Sequence, residues 1–198
     1  MKLGLFGGSF DPIHHGHLRP VRVAMETLGL DEVLFLPTAR PPHKPQRDFA
    51  PALVRYVMVE LALLDEEGMS CSDFEMRADE TFTIDTVRHF RRRQPAAEIF
   101  LLIGEDSFIE LDQWREWRAL VDEARIVVMH RPGSNLEEQL PAVLEPLVDD
   151  PRVTFLANRP VGLSSSEIRR RLRAGGQLSA DDVPPLVLQY LRKYSPYS

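Results

Sequence analysis

"GGSFDPIHHGH", residues 7–17, stands where an apolar run ends and a helical pattern begins. The run before it, "KLGLFG" (2–7), reads as a buried strand; after it, Leu18, Val21, Met25 and Leu28 recur along one helix face. Strand, two glycines, Asp-Pro turn and helix, in that order, bring backbone N–H groups close to a ligand, and the positive helix end favours an anion. His14 and His17 can aim hydrogen-bond donors at one phosphate there. Pro20 lacks an N–H, so the spacing predicts a helix that begins near His17. The local sequence leaves two readings open, an anion cradle and a tight turn carrying surface histidines. The common nucleotide motifs do not fit: the third glycine of G-x-G-x-x-G is missing, and G-x-x-x-x-G-K-[ST] is absent.

Working outward, "EVLFLP" (32–37), "EIFLLI" (98–103) and "ARIVVMH" (124–130) are further strands, with weaker candidates at 69–75 and 152–157. Helical stripes lie between them. Leu53, Val54, Val57, Met58, Leu61 and Leu64 predict one buried face; Val87 and Phe90 mark a helix ended by Pro95. Residues 137–148 are a helix candidate, and Val183, Leu186, Val187, Tyr190, Leu191 and Tyr194 mark the last. This alternation predicts an α/β, Rossmann-like single domain over residues 1–198: a mostly parallel sheet with helices on both faces. In such sheets ligands bind beyond the carboxyl ends of the strands. The opening motif, the loop "TARPPHKPQRDF" (38–49), "GED" (104–106) and "RPG" (131–133) all fall there.

Composition narrows the function. Lys plus Arg number 24 and Asp plus Glu 30, a formal charge of −6. That balance argues against nucleic-acid or anionic-membrane partners, which require a basic face, but not against a small anionic ligand. The single cysteine, Cys71, excludes an intramolecular disulfide and a cysteine-built zinc site. With no signal peptide and no spanning apolar run, a cytoplasmic protein is expected. Oligomeric state is not legible.

The second informative stretch is "GLSSSEIRRRL" (162–172). Ser164 and Glu167 form a capping box, and Ile168 with Leu172 gives a buried face. Capping does not explain three consecutive serines or Arg169; hydroxyls and N–H groups at a helix start, with an arginine one turn in, make a second anion site. Arg170, Arg171 and Arg173 are expected in solvent.

Together, "GSFDPIHHGH" and "SSSEIR" resemble the HxGH and ISSTxIR signatures of the nucleotidylyltransferase family. HxGH alone is shared with class I aminoacyl-tRNA synthetases; paired at opposite ends of a chain of this size the two motifs are specific. "RPPHK" (40–44), "TFTIDT" (81–86), "GED" (104–106), "LDQWREW" (111–117) and "RPG" (131–133) further resemble the nicotinate-nucleotide adenylyltransferase branch, over nearly the whole chain. Two departures are visible. Glu105 stands where the family often has alanine, and is expected to point outward; the serine motif reads Leu163-Ser-Ser-Ser in place of Ile-Ser-Ser-Thr.

The resemblance implies transfer of the adenylyl group of ATP to nicotinate mononucleotide, giving nicotinate adenine dinucleotide and pyrophosphate. The ATP site it implies comprises Gly7, Gly8, Ser9, Phe10, His14, His17, Gly104, Asp106 (as a ribose-hydroxyl ligand), Ser164, Ser165 and Arg169. The mononucleotide site comprises His43, Lys44, Thr83, Ile84, Asp85, Thr86, Trp114, Arg115 and Arg131, with Trp114 stacked on the pyridine ring and backbone near Thr83–Ile84 and Arg115 meeting its substituent. His14, His17, Lys44 and Arg169 carry the catalytic role, while His15, His89, His130 and Trp117 are left to structure. No carboxylate cage for a metal is legible, so Mg²⁺ is expected to arrive on the ATP phosphates. Alternatives are the amide substrate nicotinamide mononucleotide (alone or with dual specificity), phosphopantetheine adenylyl transfer, and a catalytically silent nucleotide-binding regulator. The last is disfavoured by the presence of His14, His17 and Arg169.

Overall fold

The computed structural model describes residues 1–39, 49–77, 81–130, 136–157 and 162–197. Strands β1 (Lys2–Gly8), β2 (Glu32–Pro37), β3 (Met69–Cys71), β4 (Glu98–Gly104), β5 (Arg125–Met129) and β6 (Val153–Leu156) form one sheet. Its order is β3-β2-β1-β4-β5-β6, and each neighbouring pair is parallel. The helices are α1 (His15–Leu28), α2 (Ala52–Leu63), α3 (Thr83–Arg93), α4 (Glu105–Ile109), α5 (Trp117–Glu123), α6 (Leu136–Gln139), α7 (Ser165–Arg173) and α8 (Pro185–Tyr194). This is the α/β, Rossmann-like arrangement the sequence pattern predicts. The chain builds outward from β1 to β3, then crosses to β4 on the far side of β1. The crevice beyond Gly8 and Gly104 is therefore the topological switch point, where ligands bind in such sheets.

The strands read as continuous apolar runs because both faces are covered. Phe6, Val33, Phe35, Phe100 and Leu102 pack with α1, α2, α7 and α8; Leu3, Leu5, Leu34, Leu36, Ile99, Leu101 and Ile103 pack on the other side with α3, α4 and α5. Successive residues thus alternate between two cores.

Several local expectations are corrected. Of the segment 69–75 only Met69–Cys71 is a strand, and Phe74–Met76 winds into a 3-10 turn. Residues 137–148 do not form one helix: α6 stops at Gln139 and a separate 3-10 turn occupies Glu145–Leu147, with Pro141 between them unable to donate an N–H. Leu111, Trp114, Trp117 and Val121 fall at helical spacing in the sequence, but residues 111–121 do not form one helix. A 3-10 turn at Leu111–Gln113 gives way to an extended Trp114, and Glu116 adopts a left-handed conformation before α5 begins at Trp117. On α2 the buried face is rotated from the predicted stripe: Leu53 and Leu64 are 67% and 65% exposed, while Arg55, Met58, Val59 and Leu63 are buried. That rotation brings Arg55 into the interior, where its hydrogen bonds are satisfied as described below.

Candidate active site

α1 begins two residues earlier than predicted, at His15, so Pro20 lies inside the helix. The reason is a cap made by histidines. His14 is the N-cap, and its Nδ1 accepts from the Gly16 backbone N–H at 3.0 Å. His17, at the third helical position, accepts the His14 backbone N–H on its own Nδ1 at 3.2 Å. The pair replaces the usual serine and glutamate of a capping box. It also fixes tautomers: a ring nitrogen that accepts an N–H carries no proton, so each neutral imidazole bears its N–H on Nε2. The rings lie 4.0 Å apart between centroids. Phe10, fully buried at a positive φ of 45°, packs edge-on against His17 at 5.2 Å and fills the space beneath it.

α7 closes on this cap. The Ser165 hydroxyl donates to the Pro12 carbonyl at 3.0 Å, and Arg169 Nη1 donates to the Asp11 carbonyl at 2.7 Å. Gly16 sits at the junction, where an added Cβ would come within 2.6 Å of the His14 ring and 3.3 Å of the Leu163 carbonyl. The two predicted anion motifs thus meet in space. Ser164 caps α7 by accepting from the Glu167 N–H at 3.2 Å, but the box is half-made, because the Glu167 carboxylate pairs with Arg170 instead. Arg171 is not left in solvent: it faces Asp182 at 3.4 Å. His15 is structural as expected, its Nε2 3.0 Å from the Ala180 carbonyl.

Beneath the motifs lies a buried polar network that the sequence did not reveal. Asp11, joined to Pro12 by a cis peptide bond, is fully buried. Its Oδ1 accepts from the Tyr197 hydroxyl at 2.7 Å and the Ala50 N–H at 3.1 Å, and its Oδ2 lies 3.4 Å from Arg169 Nη1. Burial pushes the Asp11 carboxyl above its ordinary range, against the opposing pull of Tyr197, the Ala50 N–H, Arg169 and Arg55. Arg55, 1% exposed, donates to the carbonyls of Ala50 (3.1 Å), Ser9 (2.7 Å), Thr38 (2.7 Å) and Ala39 (3.1 Å). One guanidinium therefore ties both ends of the loop after β2 to the opening motif. The sequence pattern carries no signal for it, because Arg55 lies off the predicted apolar stripe of α2.

A second group gathers beyond β3 and β4. Phe82 is the N-cap of α3, and the Asp85 and Thr86 N–H groups bond back to its carbonyl, leaving Thr83 and Ile84 ahead of the first intrahelical bonds. The Arg115 guanidinium lies 4.6 Å over the Phe82 ring, so the "TFTIDT" and "WREW" stretches meet. Trp114 is half-buried beside them. Ile84 puts its side chain in the core and has only backbone to offer, and Asp85 is exposed. Thr86 is buried and donates its hydroxyl to Glu75 at 2.8 Å. Glu75, unmarked in the sequence, is buried, and desolvation raises its carboxyl to about 7.

At the end of β4, Asp106 is exposed on the first turn of α4. Glu105 does not point outward: it is 6% exposed, and its Oε1 lies 2.9 Å from His130 Nδ1 at the end of β5. The contact gives the buried carboxylate a partner. His43, Lys44 and Arg131 lie outside the described residues. Among the described residues no group of three or more His, Cys, Asp or Glu could hold a metal ion. The donors at the α1–α7 junction are imidazole, hydroxyl and guanidinium groups, which suit phosphate oxygens rather than a hard cation.

The cytidylyltransferase-like family model matches residues 5–171. A relative from Neisseria gonorrhoeae named "Probable nicotinate-nucleotide adenylyltransferase" is 41% identical over 200 residues, covering 99% of this chain and 98% of its own. Another of that name, from Pelobacter propionicus, is 38% identical over 214 residues, covering 100% and 99%. A solved structure titled as the Plasmodium falciparum nicotinic acid mononucleotide adenylyltransferase complexed with NaAD matches with a TM-score of 0.76. That match covers 99% of this chain and 97% of the other, and at 20% identity the likeness is one of fold. With its histidine cap and serine-arginine helix locked together over the switch point, this chain belongs to the cytidylyltransferase-like family and, within it, to the nicotinate-nucleotide adenylyltransferases.

Proposed function

We propose that His14, His17, Ser165 and Arg169 hold the triphosphate of ATP while this enzyme transfers the adenylyl group to nicotinate mononucleotide. The observation that carries the assignment is the pair of Nδ1-accepting imidazoles at the start of α1, braced by α7. In the reaction, a phosphate oxygen of the mononucleotide attacks the α-phosphorus in line. The bond to the bridging oxygen of the β-phosphate breaks, and pyrophosphate leaves with the electron pair. The nucleophile is already anionic, so neither a general base nor a covalent intermediate is required. The chain supplies alignment and donors where charge develops. Two Nε2–H groups held by the cap need no reorganisation as the phosphoryl group changes shape, and Arg169 adds a fixed positive charge.

The start of α3 offers the N–H groups of Thr83 and Ile84 to the pyridine carboxylate, with Trp114 as the stacking face and Arg115 alongside. Asp106 is the ribose ligand, Gly7 to Phe10 and Gly104 line the nucleotide, and Asp85 and Arg131 flank the mononucleotide. Thr86 acts indirectly, through Glu75. His43 and Lys44, outside the described residues, are assigned to the substrate phosphates by the family resemblance alone. Among the described residues no group of three or more His, Cys, Asp or Glu could hold a metal, so Mg²⁺ would come with the ATP phosphates and would supply charge neutralisation there. The substrates are small molecules, and a cytoplasmic location fits them. Among the described residues no helix is long and apolar enough to cross a membrane.

Purified protein with ATP, Mg²⁺ and nicotinate mononucleotide should form the dinucleotide and pyrophosphate in equal amounts. Formation of ADP and free phosphate would overturn the assignment.

A further inference from the structure

The Asp11 carboxylate is fully buried, yet it touches no position expected to meet substrate except Arg169. Its other partners come from two distant segments. The Ala50 N–H belongs to the end of the loop after β2. The Tyr197 hydroxyl belongs to the segment after α8, beyond the residues matched by the family model. Ser195, at a positive φ of 43°, turns the chain as α8 ends, and Tyr197 comes back into the core at 5% exposure. A phenol spent on a buried carboxylate at 2.7 Å, at the end of a turn that side chains adopt reluctantly, is a specific arrangement.

We propose that Tyr197 is a positioning residue for ATP: by donating to Asp11 Oδ1 it orients the carboxylate whose Oδ2 faces Arg169, and so sets where that guanidinium meets the triphosphate. Arg169 Nη1 meets Asp11 twice, at the main-chain oxygen at 2.7 Å and at the carboxylate Oδ2 at 3.4 Å. The first contact holds Nη1 whatever the state of the carboxylate. The second depends on the carboxylate being charged and turned the right way. The charged and titratable groups that face Asp11 are Tyr197 from beyond α8, Arg169 from α7 and Arg55 from α2. All three favour the ionised form, while burial opposes it. Protonating Asp11 removes the electrostatic half of the restraint on Arg169. Tyr197 thereby also sets how acidic the medium must be before ATP binding weakens.

The inference rests on Arg169 being an ATP ligand, which Arg169→Ala tests by itself through the KM for ATP. Tyr197→Phe keeps the ring in the core and removes only the hydroxyl. Its KM for ATP should rise roughly five- to tenfold, with kcat and the KM for nicotinate mononucleotide within about twofold of the parent. The acid limb of kcat/KM for ATP should move to higher pH by about half to one unit, because Asp11 loses a hydrogen bond that favours its charge. Asp11→Asn, of the same shape, should raise the KM for ATP and abolish that limb. A melting curve on each variant monitors folding. If Arg169→Ala raises the KM for ATP but Tyr197→Phe leaves both KM and acid limb unchanged, the positioning role fails while the ATP reading stands. A Tyr197→Phe variant that only melts earlier, or that impairs both substrates equally, likewise overturns it.

Discussion

Arg169 donates to the main-chain oxygen of Asp11 at 2.7 Å, across 158 residues of sequence. That bond, together with Ser165 on Pro12, joins two helix starts from opposite ends of the chain at the place where we propose the triphosphate binds. The electrostatic gain proposed there is local. The protein as a whole is acidic, at −6, and a phosphate held at this junction would rely on short contacts that salt screens least.

Arg169→Ala should mainly weaken ATP, because it removes the guanidinium while leaving the histidine cap in place. It also leaves the buried Asp11 carboxylate short of one opposing charge, so the melting temperature should fall. Steady-state kinetics with ATP varied at saturating mononucleotide is the check; an unchanged ATP dependence would refute the phosphate contact.

His17→Ala should lower kcat, costing about 2–4 kcal/mol of transition-state stabilisation, with a smaller change in ATP affinity. The structure adds a stability cost of about 1 kcal/mol, because His17 accepts the His14 N–H in the cap. A folded variant with nearly full activity would sink the role.

Arg55 should prove structural rather than chemical. Arg55→Met keeps much of the volume but strands four carbonyl acceptors and a buried Asp11, so a loss of about 3 kcal/mol or more is expected. Denaturant unfolding measures it. A loss no larger than that of an exposed substitution such as Arg92→Met would contradict the clamp.

Glu75 predicts a pH dependence of stability. Burial pushes its carboxyl up to about 7, above the ordinary value of 4.5, so the native state holds the proton more tightly. Stability from this group is complete below the unfolded value and is lost as pH rises from there through about 7, on the order of 3 kcal/mol in all. Glu75→Gln should flatten that slope and be the more stable form above neutrality. Parallel pH profiles of unfolding for the two proteins would expose a failure.

Selectivity among pyridine nucleotides should favour the acid. N–H groups at the start of α3 pair both oxygens of a carboxylate but set donor against donor at an amide nitrogen, a difference on the order of a hundredfold in kcat/KM. Trp114→Ala should raise the KM for either mononucleotide and leave ATP binding largely intact. Equal kcat/KM for acid and amide would promote the dual-specificity alternative.

Much of this was legible because it is local. Apolar runs separated by helical stripes determine a parallel sheet covered on both faces, and the paired motifs at the strand ends mark the junction that the fold brings together and that we propose as the phosphate site. Even so, the sequence placed the start of α1 too late, because it read Pro20 as the limit and could not see that two imidazoles would cap the helix at His14. It turned Glu105 outward, because nothing local says that the strand leading into His130 pairs with β4 and brings the imidazole beside that carboxylate. It missed Asp11, Arg55, Tyr197 and Glu75 altogether. A polar residue in an apolar stripe looks like surface until tertiary contacts supply its partners, and those partners lie 46 residues away for Arg55 and Ser9 and 186 for Tyr197 and Asp11. Sequence periodicity registers the hydrophobic effect, which has no direction. Buried hydrogen bonds demand a specific partner in a specific orientation, and only the folded chain provides it.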